Sequence, residues 1–306
     1  MADTQLLLLG TFAGLGVFLG LPLAALQEVS PKWKGFLNAF AAGILIFLMV
    51  DAFGEDAWQS AANTAITAFD GQIPMSQAVF AVLVMFVGLL IGLFGLAYAN
   101  RYTKVFVRPS RCENSGLHGK LMQERLFKGV EQVDGYRLSV IIAFGIGVLN
   151  FSEALELGHS YASGTIGLAL SLSLLIGILL QSVMKGFGIA GPLTGLSKMP
   201  SNRFLAAIAV VSGLPTLIGT EIGGLWFSGL FFGFFMAVAS GALVYATAMQ
   251  TLSLRGPVLT AVSVKYLLMY NAGKRQITNR ILVMGVFVGL MAGLTSNLLM
   301  AISGVL

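Results

Sequence analysis

The sequence predicts an all-α, polytopic membrane protein of eight transmembrane helices with both termini outside, and three observations predict it. Of 306 residues, 57% are hydrophobic and 10% charged, with 38 glycines, and the mean hydropathy is +0.87, a composition beyond what one soluble core would bury. Apolar stretches near the ~20 residues needed to cross a bilayer fall at 4–27, 36–53, 78–99, 139–160, 165–190, 204–224, 229–251 and 281–303. All but one of the 18 Lys and Arg residues lie in the odd-numbered connections. Cytoplasmic loops collect positive charge, so an even number of crossings with both ends outside follows.

Each connection carries its own signal. The first holds Lys32 and Lys34, and the third, about 100–138, holds Arg101, Lys104, Arg108, Arg111, Lys120, Arg125, Lys128 and Arg137. The fifth holds Lys198 and Arg203, and the seventh Arg255, Lys265, Lys274, Arg275 and Arg280. The third is the one sizeable cytoplasmic loop, and its 123–133 part reads as an amphipathic surface helix. Pro257, Lys265 and Asn271 weaken 256–273 as a ninth span, which makes it a membrane-surface or re-entrant segment. The second loop, about 54–77, carries Glu55, Asp56 and Asp70 with no positive residue; it is either a cation-attracting vestibule or an ordinary solvated loop.

Composition also excludes. The pI near 9.4 comes from short loops between apolar spans, so it orients the protein in a bilayer and does not imply a nucleic-acid partner. One cysteine, Cys112, allows no intramolecular disulfide and no multi-cysteine metal cluster, so a metal ion would take oxygen and nitrogen ligands. Only Asp3 is charged before the first apolar segment, which reads as a retained helix and not a cleaved leader. Residues 1–306 read as a single transmembrane domain. Glycines recur within spans, as at Gly10, Gly14, Gly16 and Gly20 and at Gly88, Gly92 and Gly95; small residues at such spacings let helix backbones approach.

The chemistry concentrates on the fourth and fifth spans. Asn150, Glu153, Glu156 and His159 follow one another at intervals of three, forming a polar stripe that drifts around the helix. Gln181 and Lys185 share a face of the next span, with Ser182 beside them. Ionisable groups in a span are costly and mark pathways or paired sites. Carboxylate, carboxamide and imidazole are ligand types for a divalent ion; the ammonium of Lys185 is not, and its expected partner is Glu153 or Glu156. A structural ion pair holding two helices in register would use the same residues. His159 lies near the outer end of its span, as an interfacial histidine would, and Asp51 and Glu55 at the outer end of the second span either line an entrance or face water. Pro192 and the run Ser212-Gly213-Leu214-Pro215-Thr216 mark places where the helical ladder can loosen.

These residues resemble the ZIP family of divalent-metal transporters. The carriers of the resemblance are Leu149-Asn150-Phe151-Ser152-Glu153-Ala154, Leu157-Gly158 and Tyr161-Ala162-Ser163-Gly164 on the fourth span, and Gln181-Ser182-Val183-Met184-Lys185-Gly186 with Gly191-Pro192-Leu193 on the fifth. Ala41-Ala42-Gly43 with Asp51 and Glu55, Ser212-Gly213-Leu214, and Ala239-Ser240-Gly241-Ala242 with Tyr245 extend it over almost the whole chain. The resemblance implies a metal site between the fourth and fifth spans and leaves Asn150, Glu153 and Gln181 as ligand-type positions, with Glu156 as a further carboxylate. It also shows what has changed. Leu149, Ser182, Lys185, Thr216 and Gln250 stand where the family has chelating side chains, and the Lys185 ammonium would sit where a second metal ion would lie.

The expected function is a gradient-driven transporter of divalent transition-metal ions of the zinc, iron or manganese class, in a bacterial inner membrane. The ion is cargo, and no resident cofactor is expected. The bilayer, the ion and a second copy of the chain in a homodimer are the expected partners. The alternative keeps the fold and moves another solute or protons through the Glu153, Glu156 and Lys185 cluster. An intramembrane enzyme is disfavoured, because the two histidines, His118 and His159, are far apart and the serines lack a base beside them.

Overall fold

The computed structural model describes residues 4–26, 30–70, 74–106, 119–164, 168–194, 196, 199–254 and 272–302. They are helical throughout: α1 Thr4–Gly20, α2 Pro31–Asp51, α3 Trp58–Phe69, α4 Met75–Phe106, α5 Gly119–Ala162, α6 Leu168–Ala190, α7 Asn202–Leu225, α8 Gly229–Leu254 and α9 Ala272–Ile302. Among the described residues seven helices are long and apolar enough to cross a membrane, and the chain is a multi-pass, all-α membrane protein. The 23-residue α6 stands in the place of the fifth expected span. The 256–273 segment lies outside the described residues, apart from the first turn of α9.

Local chemistry sets the helix ends. Ser30 and Ser201 cap α2 and α7 by accepting from the Trp33 and Phe204 amides, as short hydroxyl side chains do. Pro192 stops the α-helical ladder of α6, and the chain turns through a 3₁₀ segment, Gly191–Leu193, buried in the core. After Asp51 the backbone widens into a π-helical turn, Ala52–Ala57, before α3. Two expectations are corrected. The Ser212–Thr216 run does not interrupt its span, since α7 continues through Pro215 to Leu225. The separate surface helix at 123–133 does not exist as such: α5 is one continuous 44-residue helix, because no proline lies between Gly119 and Ala162 and elongation is favourable once a helix is nucleated.

The long helices pair in parallel through glycine seams. A Cβ at Gly92 of α4 would lie 2.0 Å from the Val238 carbonyl of α8, and one at Gly241 of α8 would lie 2.1 Å from that of Leu89. Gly43 and Gly289 join α2 to α9 in the same way, Gly20 and Gly186 join α1 to α6, and Gly158 and Gly223 join α5 to α7. Any side chain at these positions would drive two backbones apart, which is why glycine occupies them. Helices α1, α5, α6 and α7 form one group and α2, α4, α8 and α9 another. Between the groups Ile44, Leu45, Leu48, Ile142, Ile146 and Ile189 form the core at 1% exposure or less. Outward faces are apolar too: Phe80, Leu83, Phe86 and Phe94 of α4 are each 58–62% exposed, a surface suited to lipid and not to water.

Candidate functional site

The site forms where α5, α6 and α7 meet. On α5, Asn150 and Glu153 lie one turn apart and face α6, because Gly147 on the same helix closes onto the Val211 carbonyl and Pro215 ring of α7 and fixes its rotation. On α6, Gly16 and Gly20 of α1 bring Ser182 and Val183 within backbone contact. Lys185 is thereby turned inward, at 1% exposure.

Lys185 Nζ forms an ion pair with Glu153 Oε2 and donates to Asn150 Oδ1 at 2.9 Å. Asn150 passes the connection on, its Nδ2 donating to the Ser212 carbonyl of α7 at 2.7 Å. Gln181 Nε2 reaches the other oxygen of Glu153 at 3.5 Å, a long bond of the weak kind. Ser182 faces away from this cluster and donates to the Ala13 carbonyl of α1 at 2.9 Å. Asn150, Gln181 and Lys185 are buried, whereas the Glu153 side chain is 27% exposed. The carboxylate is therefore the face by which the cluster opens.

Burial explains the pairing. An ammonium stripped of water loses several kcal/mol of hydration or more, and only a partner charge with further hydrogen bonds offsets it. The carboxylate supplies the charge and the carboxamide the second acceptor. Thr216 illustrates the same economy of acceptors. Among the described residues its hydroxyl is buried without a hydrogen-bond partner, and the carbonyl one turn back that a helical threonine ordinarily uses, that of Ser212, already accepts from Asn150.

The structure thus brings Asn150, Glu153, Gln181 and Lys185 together. Glu156, one turn outward of Glu153, is exposed and takes no part in the hydrogen-bonded network among the described residues. His159 is also exposed and stacks on Phe227 at 4.2 Å and 10°. Asp51 ends α2 and accepts from Asn297 Nδ2 of α9 at 2.6 Å. The Glu55 side chain lies outside the described residues, and the π-helical turn removes the regular four-residue register that the sequence suggests for Asp51 and Glu55. Gln250 donates to the Asn38 carbonyl of α2 at 3.2 Å, away from the Glu153 cluster.

Sequence reasoning missed four participants. The Ser212 and Ala13 carbonyls are backbone groups and have no signature in residue type. The partnership of Asp51 with Asn297 crosses 246 positions; a lone asparagine near the end of an apolar span was the available signal. At the opposite end of the bundle, Arg137 Nε donates to Asn100 Oδ1, and Asn100 Nδ2 donates to the Tyr245 hydroxyl. Asn100, at the end of the third span, carried a similar signal.

Chemically the cluster gathers oxygen acceptors of one carboxylate and one carboxamide around a single cation, at the middle of the helices. Among the described residues no three His, Cys, Asp or Glu side chains gather where they could hold a metal ion. Neither a protein-family model nor a curated protein matches the chain.

Proposed function

We propose that the chain is a gradient-driven membrane transporter of ZIP-like build that moves a divalent transition-metal ion past Glu153. The observation that carries this reading is the convergence of Glu153 and Asn150 of α5 on the Lys185 cation of α6, with Gln181 donating to the second oxygen of Glu153, inside an apolar bundle. Eight crossings with both termini outside belong to the proposal. Their support is directional: with α6 counted, each parallel pair, α1 with α6, α2 with α9, α4 with α8 and α5 with α7, joins spans of like parity, as alternate crossing requires.

Lys185 sets the terms of such transport. A dication about 4 Å from the ammonium would be repelled by roughly 8 kcal/mol at an effective dielectric constant near 20. Cargo therefore reaches Glu153 only as the ammonium withdraws. Glu153, at 27% side-chain exposure, is the group of the cluster that such cargo would meet first, and Glu156, one turn outward and exposed, lies before it on the outer side.

The second reading, transport of protons or a non-metal solute, is favoured by one specific observation: Glu153 Oε2 and Asn150 Oδ1 both already accept from Lys185. The deciding experiment is uptake into proteoliposomes loaded with a metal-sensitive dye, across zinc, iron(II), manganese, cobalt and cadmium, for wild type and Glu153→Gln. Saturable flux that disappears in Glu153→Gln supports the metal reading. No flux across the panel from folded, oriented protein overturns it, and proton flux sensitive to Glu153→Gln in the same vesicles would establish the second.

A further inference from the structure

The geometry points to a binding site for the phosphate headgroup of an anionic lipid at Arg137, with one acyl chain lying along α5. Arg137 begins the apolar part of α5 and is partly buried. Its Nε is tied to Asn100 Oδ1 of α4, and Asn100 is in turn tied to Tyr245 of α8. Asn100 is itself 5% exposed, so the brace is built into the junction of three helices. Both bracing side chains are neutral. Among the described residues no carboxylate pairs with the guanidinium; the ion pair they contain is that of Lys185. A partly desolvated arginine fixed through Nε presents its remaining N–H groups in a planar fork, the geometry that suits two oxygens of one phosphate.

What lies next to Arg137 on α5 selects a lipid among phosphates. Val140, Phe144 and Val148 follow at intervals of three and four on the same helical face; Phe144 is 55% exposed, and Val140 and Val148 pack one side against the core and leave the other partly uncovered. From Arg137 to Val148 the helix rises ~17 Å, close to the ~15 Å of hydrocarbon in one leaflet. The basic connections place this end of α5 on the cytoplasmic side, where anionic lipids collect. An apolar strip one leaflet long that ends in a braced guanidinium, with no carboxylate partner among the described residues, is complementary to an anionic phospholipid. The inference rests on the orientation of the chain and not on what it transports.

Native mass spectrometry of the full chain, titrated with phosphatidylglycerol and with phosphatidylcholine of the same acyl composition, tests it. Wild type is expected to hold one phosphatidylglycerol roughly tenfold more tightly than phosphatidylcholine, which offers the same phosphate but carries a choline cation that repels the guanidinium. Arg137→Lys should keep part of that preference and Arg137→Gln should lose it. An unchanged preference in Arg137→Gln overturns the site, and so does its abolition by millimolar inorganic phosphate, which would identify a free anion as the ligand. A phosphatidylglycerol with a photoreactive acyl chain gives a reading on wild type alone. Crosslinks to the peptide containing Val140 and Phe144 support the site, and crosslinks confined to other helices overturn it.

Discussion

The contact of α5 with α7 and that of α5 with α6 are built on opposite principles. Along α7 the two backbones touch over several turns, at Gly147, Gly158, Gly219 and Gly223, and the one polar side chain described across the seam is Asn150, bonded to the Ser212 carbonyl. Against α6 the contact is thin, and Lys185, Glu153, Asn150 and Gln181 close it. Backbone packing of the first kind cannot open gradually, because the interlocked carbonyls must separate together. A contact held by an ion pair and two amides opens once those few bonds are lost. The difference locates where opening costs least: the seams keep helices paired, and the polar contact is where α5 and α6 can separate.

The sharpest way to break this comparison is at Lys185. Lys185→Met leaves the partly exposed Glu153 carboxylate without its counter-charge and is expected to cost about 3 kcal/mol in denaturant unfolding of the purified protein, the low end for a broken buried pair. Lys185→Met with Glu153→Gln should recover much of it, and equal losses in single and double variants would show that the pair contributes little. At the seams, Gly92→Val puts side-chain atoms where the Val238 carbonyl lies 2.0 Å from the Cβ position, and about 1–3 kcal/mol is expected from such overpacking. Gly95→Ala, three residues along α4 with nothing within 4 Å of its Cβ position, should be close to neutral by the same melt. If both glycines behaved alike, close backbone approach would not be what holds α4 to α8.

Asn150→Leu removes the bridge between Lys185 and the Ser212 carbonyl while adding no charge. A loss of about 1–3 kcal/mol is expected from the groups left unpaired, together with changed proteolytic or hydrogen-exchange protection in α7 near Ser212. Protection unchanged there would detach α7 from the site. Ser182→Ala gives the smallest effect, about 0.6 kcal/mol for one interhelical hydrogen bond in a membrane, measured as a small shift in midpoint. It should leave uptake through Glu153 intact, since Ser182 bonds Ala13 and not the cluster.

Much of this architecture was legible before any coordinates. Asn150 and Glu153 declared themselves as polar residues three apart in an apolar helix, and Lys185 as the one basic residue within a span; the partner choice between Glu153 and Glu156 was not legible. That choice depends on the rotation of α5, which Gly147 and Gly219 fix by their contact with α7. The continuity of α5 through 123–133 was misread because loop-like charge suggested a separate element, while the backbone ladder ignores side-chain polarity when no proline interrupts it. Asp51 and Glu55 looked like one face, and the π-helical turn after Asp51 broke that periodicity without any residue that forces it.

By itself the sequence determined where the long apolar helices fall and which ionisable residues lie within them, because transfer of a side chain between water and hydrocarbon is a local free energy that each residue carries with it. Only the tertiary structure decided which polar groups meet: Lys185 with Glu153 and Asn150, Asn150 with the Ser212 carbonyl, Asp51 with Asn297, and Arg137 with Asn100. Those meetings depend on helix rotation and backbone approach, set by glycine seams between residues far apart in the chain, and three of their five acceptors are backbone or amide oxygens.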